Sequence, residues 1–133
     1  EGLWWFDDEF FDGNVIGRKE EFNWTVMIRQ PDFVTGEVFE AAKEAFARKK
    51  PGLDVSKAKL SDFAEGLCAQ ILHTGPYDDE PATVLMLEEF IKSQGYRTQM
   101  SGKRQHHEIY LSDPRKTEPA KLKTVIRHPI VKI

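Results

Sequence analysis

A chain of 133 residues is the size of one compact domain. Its formal charge of -3 comes from 19 basic and 22 acidic residues interspersed along the chain, so there is no concentrated basic footprint and nucleic-acid binding is excluded as an expectation. The apolar share is 40%, with nine phenylalanines, three tryptophans and three tyrosines as bulky core material, and no run approaches the length of a membrane-spanning helix.

The single cysteine, Cys68, has no partner for an internal disulfide and sits in an apolar run, which predicts a small core residue and a cytoplasmic setting. No CxxC or HExxH spacing occurs, and neighbouring His106 and His107 would point to opposite faces of a strand, so no metal and no other cofactor is expected.

Residues 3–11, LWWFDDEFF, place five aromatics around an acidic centre and predict an edge strand and turn, punctuated by Gly13, Asn14 and Gly17. In residues 21–29, EFNWTVMIR, alternation puts Phe22, Trp24, Val26 and Ile28 on one face and Asn23, Thr25, Met27 and Arg29 on the other. The two stretches predict an antiparallel pair, and Pro31 stops it because proline brings no N–H. Residues 34–50 read as a helix: Val34, Val38, Phe39, Ala42, Ala45 and Phe46 draw one stripe, Thr35 or Asp32 caps the start, and Arg48, Lys49 and Lys50 suit the end before Pro51-Gly52. Residues 54–62 are a polar connection anchored by Val55 and Leu60.

Residues 66–73, GLCAQILH, are apolar on both faces, which predicts a central strand with His73 as a hydrogen-bonding group at its end. After Gly75-Pro76 a helix begins near residues 78–81, carries the stripe Val84, Leu87, Phe90 and Ile91, and closes at Gly95. Residues 96–98 start another strand. The stretch 106–111, HHEIYL, is the next, with His106, Glu108 and Tyr110 on one face and His107, Ile109 and Leu111 on the other. Residues 112–119, SDPRKTEP, form a turn around Asp113-Pro114, and 122–130 are a last strand or an extended segment laid on the sheet.

Glu108 is the residue with most chemical promise. A carboxylate among apolar neighbours, roughly 6 to 7 Å along the strand from a phenol, can hold a cation, orient a hydroxyl or take a proton from water. Acidic residues at a helix start interact favourably with the backbone dipole and need no further role, so Glu80 is ambiguous on its own.

Three stretches, residues 72–96, 106–127 and 27–35 (MIRQPDFVT), resemble the GyrI-like small-molecule-binding proteins, and within them the stand-alone bacterial branch. The resemblance implies an α+β fold: an antiparallel sheet with helices on one side, built from two strand-helix-strand-strand (SHS2) units about a pseudo-two-fold. Residues 1–33 would be the closing strands of an incomplete first unit, 34–65 a linking helix and loop, and 66–133 a complete second unit with a C-terminal extension. An upstream segment, or a second copy of the chain, is expected to complete the cleft.

The resemblance also implies a bulky hydrophobic, often cationic small-molecule partner in an aromatic-lined cleft whose central carboxylate matches Glu108. The branch includes cyclopropanoid cyclopropyl hydrolases, agents of xenobiotic detoxification whose glutamates match Glu80 and Glu108. Tyr110 and Tyr77 join them by local geometry, Trp4, Trp5, Trp24 and Phe22 supply ring surface, and His106 tunes Glu108. Small-molecule binding is thus the expected function, with hydrolysis as one alternative. A protein-interaction module, or the effector domain of a truncated regulator, is another.

Overall fold

The computed structural model describes residues 1–7 and 19–133. The turn expected around Gly13, Asn14 and Gly17, and the end of the aromatic-acidic stretch before it, lie outside the described residues. Glu1–Met27 and Glu65–Ile133 make one compact unit, and Ile28–Ala64 make a second.

The first unit is α+β, with a six-stranded antiparallel sheet. Strands β1 (Gly2–Trp5) and β2 (Asn23–Val26) form the expected antiparallel pair, with Trp4 opposite Trp24. They are followed by β3 (Cys68–Thr74), helix α2 (Glu80–Ser93, numbered after α1 of the second unit), β4 (Tyr96–Thr98), β5 (His106–Tyr110) and β6 (Lys123–Lys132). The spatial order is β2-β1-β5-β6-β3, with β4 on the far end of β6.

Two expectations about the sheet are corrected by this order. The last segment is a strand, one of its two expected forms, but it is no late addition to the sheet, because β6 is the hub that pairs with β3, β4 and β5. Its inward residues are Thr124, Ile126, His128 and Ile130, all buried, and two of these four are polar, which hides the alternation from a reading by hydropathy. Strand β3, read as central, instead pairs only with β6 among the described residues, and Leu72 and Leu67 beside it are more than half exposed. Cys68, at its start, is a free and half-buried thiol rather than a core residue.

Helix α2 packs on one face of the sheet. Val84, Leu87 and Ile91 recur at three and four positions and form the core with Ile126 and Ile130, each such burial contributing about 1.5–3 kcal/mol. Phe90, expected on that stripe, is 57% exposed: it stands one residue, about 100° of helix, away from Ile91. A single 3-10 turn (Tyr77–Asp79) leads into α2, Pro81 sits in its first turn, and Gly95 adopts φ 77° just beyond its end, a conformation glycine takes without strain. His73 bonds as a strand-end group should, with Nδ1 at 2.8 Å from Thr83 Oγ1 and Nε2 at 3.0 Å from the Pro76 carbonyl. Asp113 organises the turn after β5, accepting from the Arg115 backbone and from its guanidinium.

In the second unit, α1 (Gly36–Lys49) starts at Thr35, whose hydroxyl accepts from the Val38 N–H at 3.3 Å. None of its residues is buried, although Phe39, Ala42 and Phe46 share a shallow apolar depression with Val55 and Ala58. Among the described residues no helix is long and apolar enough to cross a membrane.

Candidate functional site

Strand register decides which side chains meet. Gly2 lies opposite Glu108 and Val26, Trp4 opposite His106 and Trp24, Glu108 opposite Ile126, and Tyr110 opposite Thr124. Residues directly opposite share a face, so Trp4, Trp24, His106, Glu108, Tyr110, Thr124 and His128 are on the side where α2 packs. The helix covers the part over β3 and β6 through Ile126, Ile71 and Ala69, and its first residue, Glu80, comes down beside Thr124 and Glu108.

Glu108 is only 8% exposed, and both of its oxygens are engaged. Tyr110 donates its hydroxyl to Oε2 at 2.6 Å, and the same hydroxyl accepts from Trp4 Nε1 at 3.0 Å. Because an indole can only donate, the direction of both bonds is settled: Trp4 to Tyr110 to Glu108. His106 Nε2 stands 3.0 Å from Oε1. Burial alone would raise the Glu108 carboxyl, but hydrogen bonding from His106, with smaller help from Tyr110 and Glu80, outweighs it and holds the group below the usual carboxylate range. Burial and the Glu108 charge push the Tyr110 phenol well above its ordinary value, so it remains a donor.

Glu80 has the opposite fate. Burial, then the charge of Glu108 and a hydrogen bond shared with it, push its carboxyl up to about 8, against a smaller pull from Thr124. With both carboxyls ionised neither has a hydrogen to give the other, whereas a proton on Glu80 supplies the donor that Glu108 accepts. Two neighbouring carboxyls thus divide into an acid, Glu80, and a carboxylate, Glu108, near neutral pH. Tyr77 stands at the exposed edge, its ring 6.0 Å from that of Tyr110 and edge-on to it, with its phenol raised by burial and then by the charges of Glu80, Glu108 and Asp113.

The remaining candidate residues separate by face. Trp4 and Phe22 meet edge to face at 5.7 Å, and Phe22 stacks on Phe6 at 4.5 Å. Trp24 is 59% exposed on the same side. Trp5 is a correction: it lies opposite Asn23, two positions from Leu3, which pairs with His107, so alternation sends it to the other face. On that other face His107 is held between Glu65 Oε1 at 2.9 Å and Glu1 Oε2 at 3.0 Å, and Arg127 reaches Glu65 Oε2 at 2.8 Å.

Sequence reasoning missed Phe6, Thr124, His128, Glu88 and Thr98. His128 lies 22 positions from His106, yet its Nε2 is 2.8 Å from His106 Nδ1, while its Nδ1 is 2.9 Å from Glu88 Oε1, an oxygen that also accepts from Thr98. Hydropathy gave no signal for Thr124 or His128, since Thr124, Ile126, His128 and Ile130 mix two polar with two apolar residues along one face of the last strand. Among the described residues no three His, Cys, Asp or Glu converge as metal ligands.

Comparison with solved structures finds the same fold in proteins of Listeria innocua. One described as an uncharacterized conserved protein is 45% identical with a TM-score of 0.89, over 98% of this chain and 62% of its own. Another, described as a hydrolase, is 43% identical with a TM-score of 0.84, over 98% of this chain and 60% of its own. A third description, again of a hydrolase, gives 43% identity, a TM-score of 0.83 and coverage of 98% and 62%. The chain therefore spans about three fifths of the length of these relatives. No curated protein matches. The family model of the GyrI-like small molecule binding domain matches residues 2–131. With nearly the whole chain inside that match and the sheet, helices and topology shared with those structures, this chain belongs to the GyrI-like family of small-molecule-binding domains.

Proposed function

We propose that the face around Glu108 binds a bulky apolar small molecule against Trp4, Trp24, Tyr77 and Tyr110, and that the Glu80–Glu108 pair adds water to a strained, electrophilic substrate of the cyclopropane-bearing dienone class. The observation that carries this reading is the pairing of two buried carboxyls, Glu80 and Glu108, beside the rings of Trp4, Tyr77 and Tyr110. The family's small-molecule binding supports the first half. The descriptions of two similar Listeria proteins as hydrolases support the second.

In the reaction, Glu108 takes a proton from water as the water oxygen bonds to a cyclopropane carbon. The ring C–C bond breaks, its electron pair passes through the conjugated dienone to the carbonyl oxygen, and that oxygen takes the proton of Glu80. The product is an alcohol and a phenol, with every atom of the water retained. The proton left on Glu108 then crosses the hydrogen bond it shares with Glu80, which restores the starting arrangement. A ligand that is also cationic gains from the Glu108 charge and from the ring faces.

Incubation of the intact protein with a cyclopropane-bearing dienone, read by mass spectrometry for bound and converted material, tests the reading. Glu108→Gln is expected to lower turnover by about 10²–10⁴-fold, the usual range for loss of a positioned base. Saturable binding without product would reject hydrolysis and leave binding, and turnover that survives replacement of both Glu80 and Glu108 by glutamine would reject the assignment.

A further inference from the structure

Glu108 ends a line of buried polar groups that runs away from the aromatic side. His106 Nε2 meets Glu108 Oε1 at 3.0 Å, His106 Nδ1 meets His128 Nε2 at 2.8 Å, and His128 Nδ1 meets Glu88 Oε1 at 2.9 Å. The two imidazoles are 1% and 0% exposed, whereas the Glu88 side chain is 23% exposed, so the line meets solvent at its far end.

Three contacts join four groups, and each contact holds one hydrogen. A carboxylate only accepts. With Glu88 and Glu108 both ionised, His106 Nε2 and His128 Nδ1 must each carry a hydrogen, and the hydrogen between the rings then makes one of them an imidazolium. If Glu108 is instead an acid that donates to His106 Nε2, both rings are neutral. The two arrangements contain the same number of protons and differ by the shift of one or two hydrogens along the line. Glu108 is therefore an anion only while a cation stands behind it, and Glu88 is the carboxylate that stabilises that cation.

We propose that His128 and Glu88 are positioning residues: their imidazolium–carboxylate pair, acting through His106, keeps Glu108 ionised and leaves the proton of the carboxyl pair on Glu80. The inference rests on the reading of Glu108 as the charged group of the ligand face. Burial, ahead of every other influence, pushes the His106 imidazole below its usual value, and the ring that lies against the partly exposed Glu88 carboxylate is that of His128, so the extra hydrogen is assigned there and His106 is left as the Nε2–H tautomer. Burial raises the Glu88 carboxyl, but hydrogen bonds from His128 and Thr98 outweigh it and hold the group low. Among the described residues, the charged or titratable groups that act on the line include Tyr110 and His107 on β5 and Glu80 and Lys92 on α2, with Tyr77 and Asp78 of the turn before α2, and Asp113 after β5, adjoining the carboxyl pair. The Thr98 hydroxyl on β4 donates to Glu88, and Thr124 on β6 lies beside Glu80.

Imidazole ¹⁵N and carboxyl ¹³C NMR of the intact protein at neutral pH tests this without any turnover. The expected spectrum has both His128 nitrogens protonated, His106 protonated at Nε2, and Glu108 ionised. Glu88→Gln should neutralise His128 and protonate Glu108, and Glu88→Asp should keep the charge on His128. Should Glu88→Gln not fold, His128→Gln should likewise give a protonated Glu108. A neutral His128 in the parent protein, or an ionised Glu108 in either glutamine variant, overturns the proposal. Binding of tetraphenylphosphonium against neutral triphenylphosphine oxide reads the consequence: Glu88→Gln should weaken the cation about tenfold, the equivalent of one pH unit in Glu108, and leave the neutral ligand unchanged. Equal affinity of the two probes for the parent protein would reject the ligand reading of Glu108, while the NMR result would still decide the role of His128 and Glu88.

Discussion

Replacing Glu80 by glutamine probes the carboxyl pair through stability alone. In the folded protein the Glu80 carboxyl is raised from 4.5 to about 8, so between these values the native state holds a proton that the unfolded chain has released. The stability contributed by that proton is complete below pH 4.5 and is lost as pH rises through about 8, at up to about 1.4 kcal/mol per pH unit. Other groups occupy other windows. Glu108, Glu88 and Glu65 are lowered on folding and act below their ordinary 4.5, where stability falls as they are protonated. His106, lowered by burial, acts below its ordinary 6.5 and opposes the Glu80 trend there. Of the described groups with shifted values Glu80 is the one that acts across the interval from 6.5 to 8, and the loss it contributes there comes to about 1.5–2 kcal/mol. Glutamine keeps the shape and the donor of the protonated acid but cannot titrate. Urea unfolding of both proteins at the two ends of this interval, at one ionic strength, should show the parent losing about 1.5–2 kcal/mol relative to Glu80→Gln. Because the measurement is a difference, histidines elsewhere cancel. Equal pH dependence in the two proteins would refute a protonated Glu80, and with it the division of labour in the pair.

Gly2→Ala should disturb the site from the adjoining strand: an added Cβ would stand 2.9 Å from Trp4 Nε1 and 3.1 Å from the Tyr110 hydroxyl oxygen. The indole must move, at a cost of about 1–3 kcal/mol, with a shift in tryptophan fluorescence as the readout. Tyr110→Phe removes the donor to Glu108 Oε2, so the Glu108 carboxyl should rise and the acid limb of turnover or of cation binding should move to higher pH. Ile126→Ala, at a position with 0% exposure in the core, should cost about 2–5 kcal/mol in urea unfolding.

What the sequence made legible is what depends on local rules. Alternation placed His106, Glu108 and Tyr110 on one face, helix periodicity marked Val84, Leu87 and Ile91, and glycine chemistry marked the end of α2 at Gly95. What it hid depends on pairing between distant strands. Leu67 and Leu72 made β3 look central, yet position in a sheet is set by partners, and β6 takes the middle because three strands add to it. Trp5 and Trp4 are adjacent in the chain and equally aromatic, and only the register of β1 against β5 separates the ring beside Tyr110 from the one on the side of His107. His128 and Glu88 carry no motif, since nothing local announces that β6 and α2 will meet there.

The two adjacent histidines show how far pairing alone can differentiate identical residues. His106 and His107 are both 1% exposed, and each is bonded through both ring nitrogens. His107 has a carboxylate on each side, so both of its ring nitrogens face an acceptor, and Arg127 adds a cation at Glu65. His106 has a carboxylate on one side and another imidazole on the other, so its hydrogens can be distributed in more than one way at the same total count. A ring held from both sides by carboxylates suits a structural clamp between β5 and the segment before β3. A line with two arrangements of equal proton number ties the charge of Glu108 to the rings behind it, and the strand register delivers that line, and not the clamp, to the face that carries Glu80, Tyr77 and Tyr110.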